Sequence, residues 1–94
     1  MIIPTYIQDV KADLDYTFDW TAYLDTTETI VTAIETVATG LTLGASTIST
    51  DGKSVVFWLS GGVVGVSYRI DCLITTSAPP RTDSRSMYLT VEDL

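Results

Sequence analysis

A chain of 94 residues is long enough for one domain and too short for two separate hydrophobic cores. Hydrophobic residues make up 46% of it and charged residues 18%, and 12 acidic residues against 5 basic ones give a net charge of −7, which would repel a nucleic-acid backbone. The chain has no histidine, so the commonest general base and metal ligand are missing, and we expect no enzyme, no metal and no cofactor.

Residues 1–12 are predicted to form an N-terminal arm, extended or attached to a sheet edge, and residues 13–94 the folded domain. Pro4 cannot join a central strand, and the arm lacks a clean hydrophobic period. The first strand of the domain alternates strictly between polar and large apolar residues, and the apolar ones, expected to face the core, are Leu14, Tyr16, Phe18 and Trp20. A polar turn then leads to a second predicted strand at 30–37, rich in Ile, Val and Thr.

The middle of the chain carries a hairpin signal. Short β-prone segments at 41–43 and 45–50 flank Gly44, and Asp51-Gly52 is typical of the turn of a β-hairpin. The strand after it, at 54–59, is predicted to have Val55, Phe57 and Leu59 inward.

The longest predicted strand covers residues 65–76. Its inward side chains are Val66, Tyr68, Ile70, Cys72 and Ile74. Leu73 is an apolar exception on its polar face. A loop containing Pro79-Pro80 must interrupt the sheet, and a last strand at 85–91 follows. Six or seven short strands without a long helix predict an immunoglobulin-like antiparallel β-sandwich.

Two residues mark the corner before the longest strand. In immunoglobulin-like folds a tyrosine at this place donates or accepts a hydrogen bond with the backbone of the preceding connection. Gly65 and Tyr68 are therefore predicted to form a structural corner. The Gly61-Gly62 segment is interpreted as a turn, because a phosphate-binding loop needs a following helix and a strand follows here.

Other residues are candidates for contacts with partners. We expect an apolar arm to need another surface to cover it, and we expect exposed aromatic residues to take part in interfaces. The candidate interface residues are Ile2, Ile3, Tyr6, Ile7, Trp58, Arg81, Asp83 and Arg85. The last three either brace their own loop or set the register between copies of the chain. Trp20 and Tyr88 are also expected near a surface.

Four aspartates near the first strand, at positions 9, 13, 15 and 19, have two interpretations. Calcium binds several convergent carboxylates, whereas residues two apart on a strand point in parallel. The other interpretation is an acidic face exposed to solvent or to a partner.

The cysteine, the serine residues and the apolar segments of the chain indicate neither an exported nor a catalytic protein. Cys72 is the only cysteine, which predicts a buried, inert thiol. Serine residues lack a histidine base. No apolar run reaches the length of a membrane span, and the first basic residue is Lys11, so we expect no membrane partner and no secretory signal.

Several sequence blocks resemble a family of bacteriophage fiber-tail adaptor, or minor virion structural, proteins of roughly a hundred residues. The blocks are Leu14-Asp15-Tyr16-x-Phe18-Asp19-Trp20, Trp58-Leu59-Ser60-Gly61-Gly62, Ser67-Tyr68-Arg69-Ile70, Ile74-Thr75-Thr76 and Arg81-Thr82-Asp83-x-Arg85-Ser86. The resemblance spans residues 13–91 and implies a small β-sandwich in the virion near the tail, neck or fibers, made in the host bacterial cytoplasm. It implies no catalytic residues.

The resemblance also implies other virion proteins as partners, namely neck, tail, portal-proximal or fiber proteins, and several symmetric copies per particle. Two alternatives remain from the residues themselves. One is a capsid decoration protein, which would cement capsomers. The other is a free carbohydrate- or calcium-binding β-sandwich module, because sandwiches support unrelated functions.

Overall fold

The computed structural model describes residues 3–77 and 80–94, and all regular structure in these ranges is β-strand. The seven strands are β1 (Thr5–Asp9), β2 (Asp13–Asp19), β3 (Ile30–Val37), β4 (Leu41–Ile48), β5 (Ser54–Gly61), β6 (Ser67–Thr76) and β7 (Thr82–Glu92). No helix of the described residues is suited to crossing a membrane. The segments predicted at 41–43 and 45–50 are one strand, with a register irregularity between Leu43 and Ser46.

Two sheets pack face to face. One has four strands in the order β1-β7-β6-β3 and the other three strands in the order β2-β5-β4. The predicted immunoglobulin-like β-sandwich is confirmed. All pairs are antiparallel except β1 and β7, which run parallel, with Thr5 opposite Tyr88 and Asp9 opposite Glu92.

The connections gather at two ends of the sandwich. The upper end carries the β2–β3, β4–β5 and β6–β7 connections, since β3 starts beside the end of β6. The lower end carries the β1–β2, β3–β4 and β5–β6 connections and the C-terminus. Backbone hydrogen bonds tie the lower end together, from Val10 N to Glu92 O at 2.8 Å and from Gly65 N to Val91 O at 2.7 Å.

The core lies between the sheets and contains the predicted inward side chains of β5, β6 and β7. Each fully buried Phe, Leu or Ile contributes about 1.5–3 kcal/mol to stability. The completely or almost completely buried members are Val55, Phe57, Leu59, Ile70, Cys72, Ile74, Met87, Leu89 and Val91. Alternation of apolar and polar residues therefore identified the core faces of these three strands correctly.

Three sequence-based expectations about burial are wrong. Trp20 is completely buried, as the alternation of its strand predicts, so the second expectation for it, a position near a surface, is wrong; its ring packs 5.7 Å from the ring of Phe18. Leu14, expected to face the core, is 46% exposed on the edge strand β2. Val66 is also exposed, because it precedes the first residue of β6 and belongs to the β5–β6 connection.

Candidate interface surfaces

The arm is partly a strand. β1 extends the four-stranded sheet through its parallel pairing with β7, and Pro4 O accepts a hydrogen bond from Tyr88 N at 2.9 Å. This chain segment therefore lies on the sandwich from Pro4 onward. Of the candidate interface residues, Ile3 is half-buried, Tyr6 is 43% exposed and Ile7 is 62% exposed, while Ile2 lies outside the described residues.

Gln8 anchors β1 to the opposite sheet. Its side chain is 1% exposed, and its amide nitrogen donates to Leu59 O at 2.9 Å and to Ala12 O at 3.0 Å. Its carbonyl oxygen accepts a hydrogen bond from the Tyr16 hydroxyl at 2.6 Å. These three hydrogen bonds satisfy both the nitrogen and the oxygen of the side-chain amide that β1 places in the core. Sequence reasoning missed this role, because a lone glutamine has no pattern that predicts burial.

An aromatic pair closes the open side of the sandwich between β1 and β2. The rings of Tyr6 and Tyr16 are 5.4 Å apart, a distance typical of aromatic pairs in protein cores. Burial raises the pKa of the Tyr16 phenol. Tyr6 thus packs on one side against its own domain and keeps the other side exposed.

The upper end is held by an ion pair that the sequence did not reveal. Glu28, in the predicted polar turn, is 2% exposed and accepts two hydrogen bonds from the Arg81 guanidinium, one of them from Nε at 2.9 Å. These bonds lower the pKa of Glu28 to about 2. The guanidinium also lies 4.4 Å from the centre of the Tyr23 ring. Arg81 therefore braces the β2–β3 and β6–β7 connections.

Lys53 stabilises the same connection from the β4–β5 side. Its ammonium group donates to the carbonyl oxygens of Asp25 at 2.9 Å, Thr26 at 3.2 Å and Glu28. Three carbonyl acceptors around one ammonium fix the backbone of the β2–β3 connection. The upper end is consequently a set of mutually bound loops.

Asp83 and Arg85 both contact Trp20. The indole Nε1 donates to Asp83 Oδ2 at 2.8 Å, and the Arg85 guanidinium lies 4.9 Å from the ring centre. Arg85 also donates to Asp19 O at 2.5 Å. Together with Arg81, these residues brace their own chain, which was one of the two interpretations. Contacts between copies through these side chains stay a prediction.

Tyr68 occupies the corner at the start of β6. It is buried, and its hydroxyl accepts a hydrogen bond from Val63 N at 2.9 Å in the β5–β6 connection. Gly62 has a φ of +88°, and a Cβ there would lie 2.8 Å from Val91 Cγ2 and 3.0 Å from Tyr68 Cε2. Gly65 has a φ of +85°. The loop conformation therefore depends on glycine at both positions.

The β5–β6 connection presents three exposed valines, Val63, Val64 and Val66. They stand on a backbone fixed by the Tyr68 and Gly65 hydrogen bonds. No charged residue occurs between Leu59 and Tyr68. Sequence reasoning identified the turn but missed the exposure of these valines, although three valines within a glycine-rich turn were a visible signal.

The outer face of the three-stranded sheet is acidic and carries an exposed tryptophan. Asp13, Asp15 and Asp19 lie on its edge strand β2, and Asp15 is opposite Trp58, which is 40% exposed. A Cβ at Gly44 of β4 would lie 3.1 Å from Trp58 Cβ, so Gly44 lets the two strands approach closely under this side chain. Strands β2, β4 and β5 contain no lysine or arginine.

The four aspartates near β2 do not gather at one point. Asp9 accepts backbone hydrogen bonds from Leu94 N at 2.9 Å and Lys11 N at 3.0 Å, which lower its pKa. Asp19 instead binds the Thr21 hydroxyl and amide, which lower its pKa. Within residues 3–77 and 80–94, no group of three or more His, Cys, Asp or Glu side chains is placed to hold a metal ion.

Cys72 lies in the centre of the core and is completely buried. Burial raises the pKa of its thiol to about 12. A thiol is nucleophilic and binds metals as the thiolate, which this environment disfavours.

Comparison with known proteins agrees with the sequence blocks. No curated protein and no solved structure matches the chain. The family model Gp77, described as podophage GP4 fiber-tail adaptor protein gp77, matches residues 8–90. This match covers nearly all of the sandwich, from Gln8 in β1 to Thr90 in β7. The chain therefore belongs to the podophage GP4 fiber-tail adaptor protein family and is a structural protein of the phage virion.

Proposed function

We propose that this protein is a non-enzymatic adaptor that joins fiber and tail proteins in the neck and tail region of a podophage particle. It is made in the host cytoplasm and enters the particle in several symmetric copies. The family match over residues 8–90 is the observation that carries the proposal. Its partners are other virion proteins, and no nucleic acid or membrane takes part.

The exposed apolar residues support an assembled protein. The core is complete without them, yet large apolar side chains remain exposed on β1, on the outer sheet faces and in the β5–β6 connection. A chain in which only 18% of the residues are charged has little polar surface to separate such groups. Contact with neighbouring proteins would remove these side chains from water and stabilise the assembly by about 25 cal/mol per Å² of apolar surface buried.

The arm is the proposed attachment to the neighbouring tail or neck protein. Tyr6 and Ile7 are exposed on a strand that is itself fixed by the buried Gln8. A preorganised strand loses little conformational entropy on binding. Ile2 and Ile3 precede it and extend the apolar sequence.

Trp58 and the upper end provide further contacts in this proposal. Large aromatic and arginine side chains dominate the binding energy of many interfaces. Arg81, Asp83 and Arg85 hold the loops of the upper end in one conformation and would set the register of the neighbour.

The absence of catalysis has support from the chemistry of the described residues. Cys72 is buried with a raised pKa, and Glu28 is held ionised by Arg81. Serine residues have no histidine beside them, because the chain contains none. We expect no hydrolytic activity from the purified protein. Reproducible turnover that disappears on substitution of one serine or aspartate would contradict this.

The adaptor role is tested in phage particles. We expect particles made without this protein to contain DNA-filled heads and to lack fibers. We expect Ile7→Asp to reduce incorporation strongly, because it places a charge in the proposed contact, whereas Thr47→Asp, on an exposed site of β4, serves as the matched control. Protein copy numbers measured by quantitative mass spectrometry and cryo-electron microscopy report the result. Normal fiber attachment in particles lacking the protein would overturn the proposal.

A further inference from the structure

The two outer sheet faces of this protein differ in charge. The outer face of the three-stranded sheet carries Asp13, Asp15 and Asp19 and no cation on its strands. The other sheet consists of β1, β7, β6 and β3. At the lower end of its outer face lie Asp9 and Glu92, and elsewhere on this face its described strands carry two charged groups. These are Arg69 and Asp71, whose side chains form an ion pair with an N–O distance of 3.0 Å.

The rest of this nearly neutral face consists of hydroxyl and apolar side chains. On β7, Ser84, Ser86, Tyr88 and Thr90 alternate with the core residues. On β6 and β3, Leu73 and Ile34 are register partners, 42% and 61% exposed. We define the outward side chains of β3, β6 and β7 as the neutral face. The outward side chains of β1, including Ile7, belong to the arm and are not part of it.

We infer that the neutral face is the contact between two copies of this chain. The inference rests on the proposed function, in which several copies are present. Each copy carries a net charge of −7, so two copies repel unless they meet through surfaces of low net charge. A different partner could carry a compensating positive charge and would not need a neutral face. Self-association does need one.

The Arg69–Asp71 pair makes the neutral face self-complementary. A two-fold axis that lies between the copies, perpendicular to β6 and level with Ile70, places the guanidinium of one copy opposite the carboxylate of the other, because Arg69 and Asp71 lie one position to either side of Ile70. The Arg69 side chain is further held by the Tyr88 hydroxyl at 3.3 Å and by Ser86 Oγ at 3.1 Å. Its position is therefore fixed before the second copy arrives.

The neutral face supplies a large part of the area of a standard interface. Strands β3, β6 and β7 have 8, 10 and 11 residues. At about 3.3 Å per residue and about 4.8 Å between strands they present roughly 460 Å² of flat area, and side-chain relief increases the accessible area. A stable interface of standard size buries about 800 Å² on each partner. The exposed Ile34–Leu73 pair supplies the apolar part of this contact.

Sedimentation velocity and light scattering on the purified full chain test the inference. We expect a dimer that higher ionic strength does not weaken, because salt screens the repulsion between the acidic copies. Leu73→Asp and Leu73→Lys should each weaken the dimer by at least about tenfold in Kd. The lysine variant lowers the net negative charge, so its effect cannot come from added repulsion. Ile34→Lys, on the neighbouring strand β3, is a second variant that should weaken the dimer in the same way.

Thr17→Lys and Thr17→Asp, on the acidic outer face, are the matched controls and should leave the dimer intact. Circular dichroism verifies that every variant is folded. A wild-type chain that stays monomeric up to about 1 mM overturns the inference. So does a dimer that tolerates the Leu73 and Ile34 variants. Neither result touches the adaptor role, which the particle experiment measures separately.

Discussion

Replacing Gln8 by leucine tests whether one buried amide fastens the first strand to the sandwich. Leucine has a similar volume but cannot hydrogen bond, so Leu59 O, Ala12 O and the Tyr16 hydroxyl lose their partner. The bond to Leu59 O is buried, whereas the other two are partly buried and water can replace them. One unsatisfied buried carbonyl costs about 1–3 kcal/mol, and each replaced bond costs about 0.5 kcal/mol.

We therefore expect Gln8→Leu to lower the free energy of unfolding by about 2–4 kcal/mol. Urea denaturation followed by circular dichroism measures this, and for a domain of this size the melting temperature should fall by roughly 10 °C or more. Thr5→Leu is the matched control, since it introduces the same side chain at an exposed position of β1, and it should change stability by less than about 0.5 kcal/mol.

A double-mutant cycle isolates the bond between the two side chains. Tyr16→Phe alone should cost about 0.5–1.5 kcal/mol, and it should cost about 0.5 kcal/mol less in the Gln8→Leu background, where the hydroxyl has already lost its partner. A loss below about 0.5 kcal/mol for Gln8→Leu, or additive effects of the two changes, would refute the role given to Gln8.

The corner, the upper ion pair and the core thiol give three further predictions. Tyr68→Phe should lower stability by about 0.5–1.5 kcal/mol without changing the fold, and an unchanged urea midpoint would show that the Val63 hydrogen bond contributes nothing. Because Arg81 lowers the pKa of Glu28 from 4.5 to about 2, the stability from ionised Glu28 is complete above about pH 4.5 and is lost toward pH 2. Between about pH 4.5 and pH 2 the free energy of unfolding should therefore fall less for Glu28→Gln than for the wild type. An equal fall in both proteins would contradict this. Cys72 should resist alkylation at pH 8 in the folded protein and react once urea unfolds it, and rapid labelling of the native protein would disprove its burial.

The strands were largely predictable because their signals are local. Alternation in β5, β6 and β7 located the core side chains, and Asp51-Gly52 located the hairpin turn. Leu14 was misassigned and Trp20 received two opposed expectations, because burial at a strand end depends on what the rest of the chain places above it. An edge strand leaves Leu14 uncovered, whereas Phe18, Asp83 and Arg85 enclose Trp20.

The contacts that fix the candidate surfaces were not predictable in the same way. Glu28 and Arg81 lie far apart in sequence, and neither belongs to a periodic pattern. Gln8 is buried only because β1 joins β7 and faces Leu59 across the sandwich. Such partners become visible only when the sheet order is known.

The parallel pairing of β1 with β7 has a consequence for the order of folding. Strand β1 precedes the other six strands in the chain and has its hydrogen-bonding partner in β7, the seventh, so it stays unpaired until β7 has been made. Contacts between such distant segments form slowly, because closing a long loop costs entropy before any contact is gained. The edges of the unfinished sheet are exposed during this time. Synthesis of β7, and not formation of the early hairpins, is therefore the step that completes the four-stranded sheet and makes a copy ready for assembly.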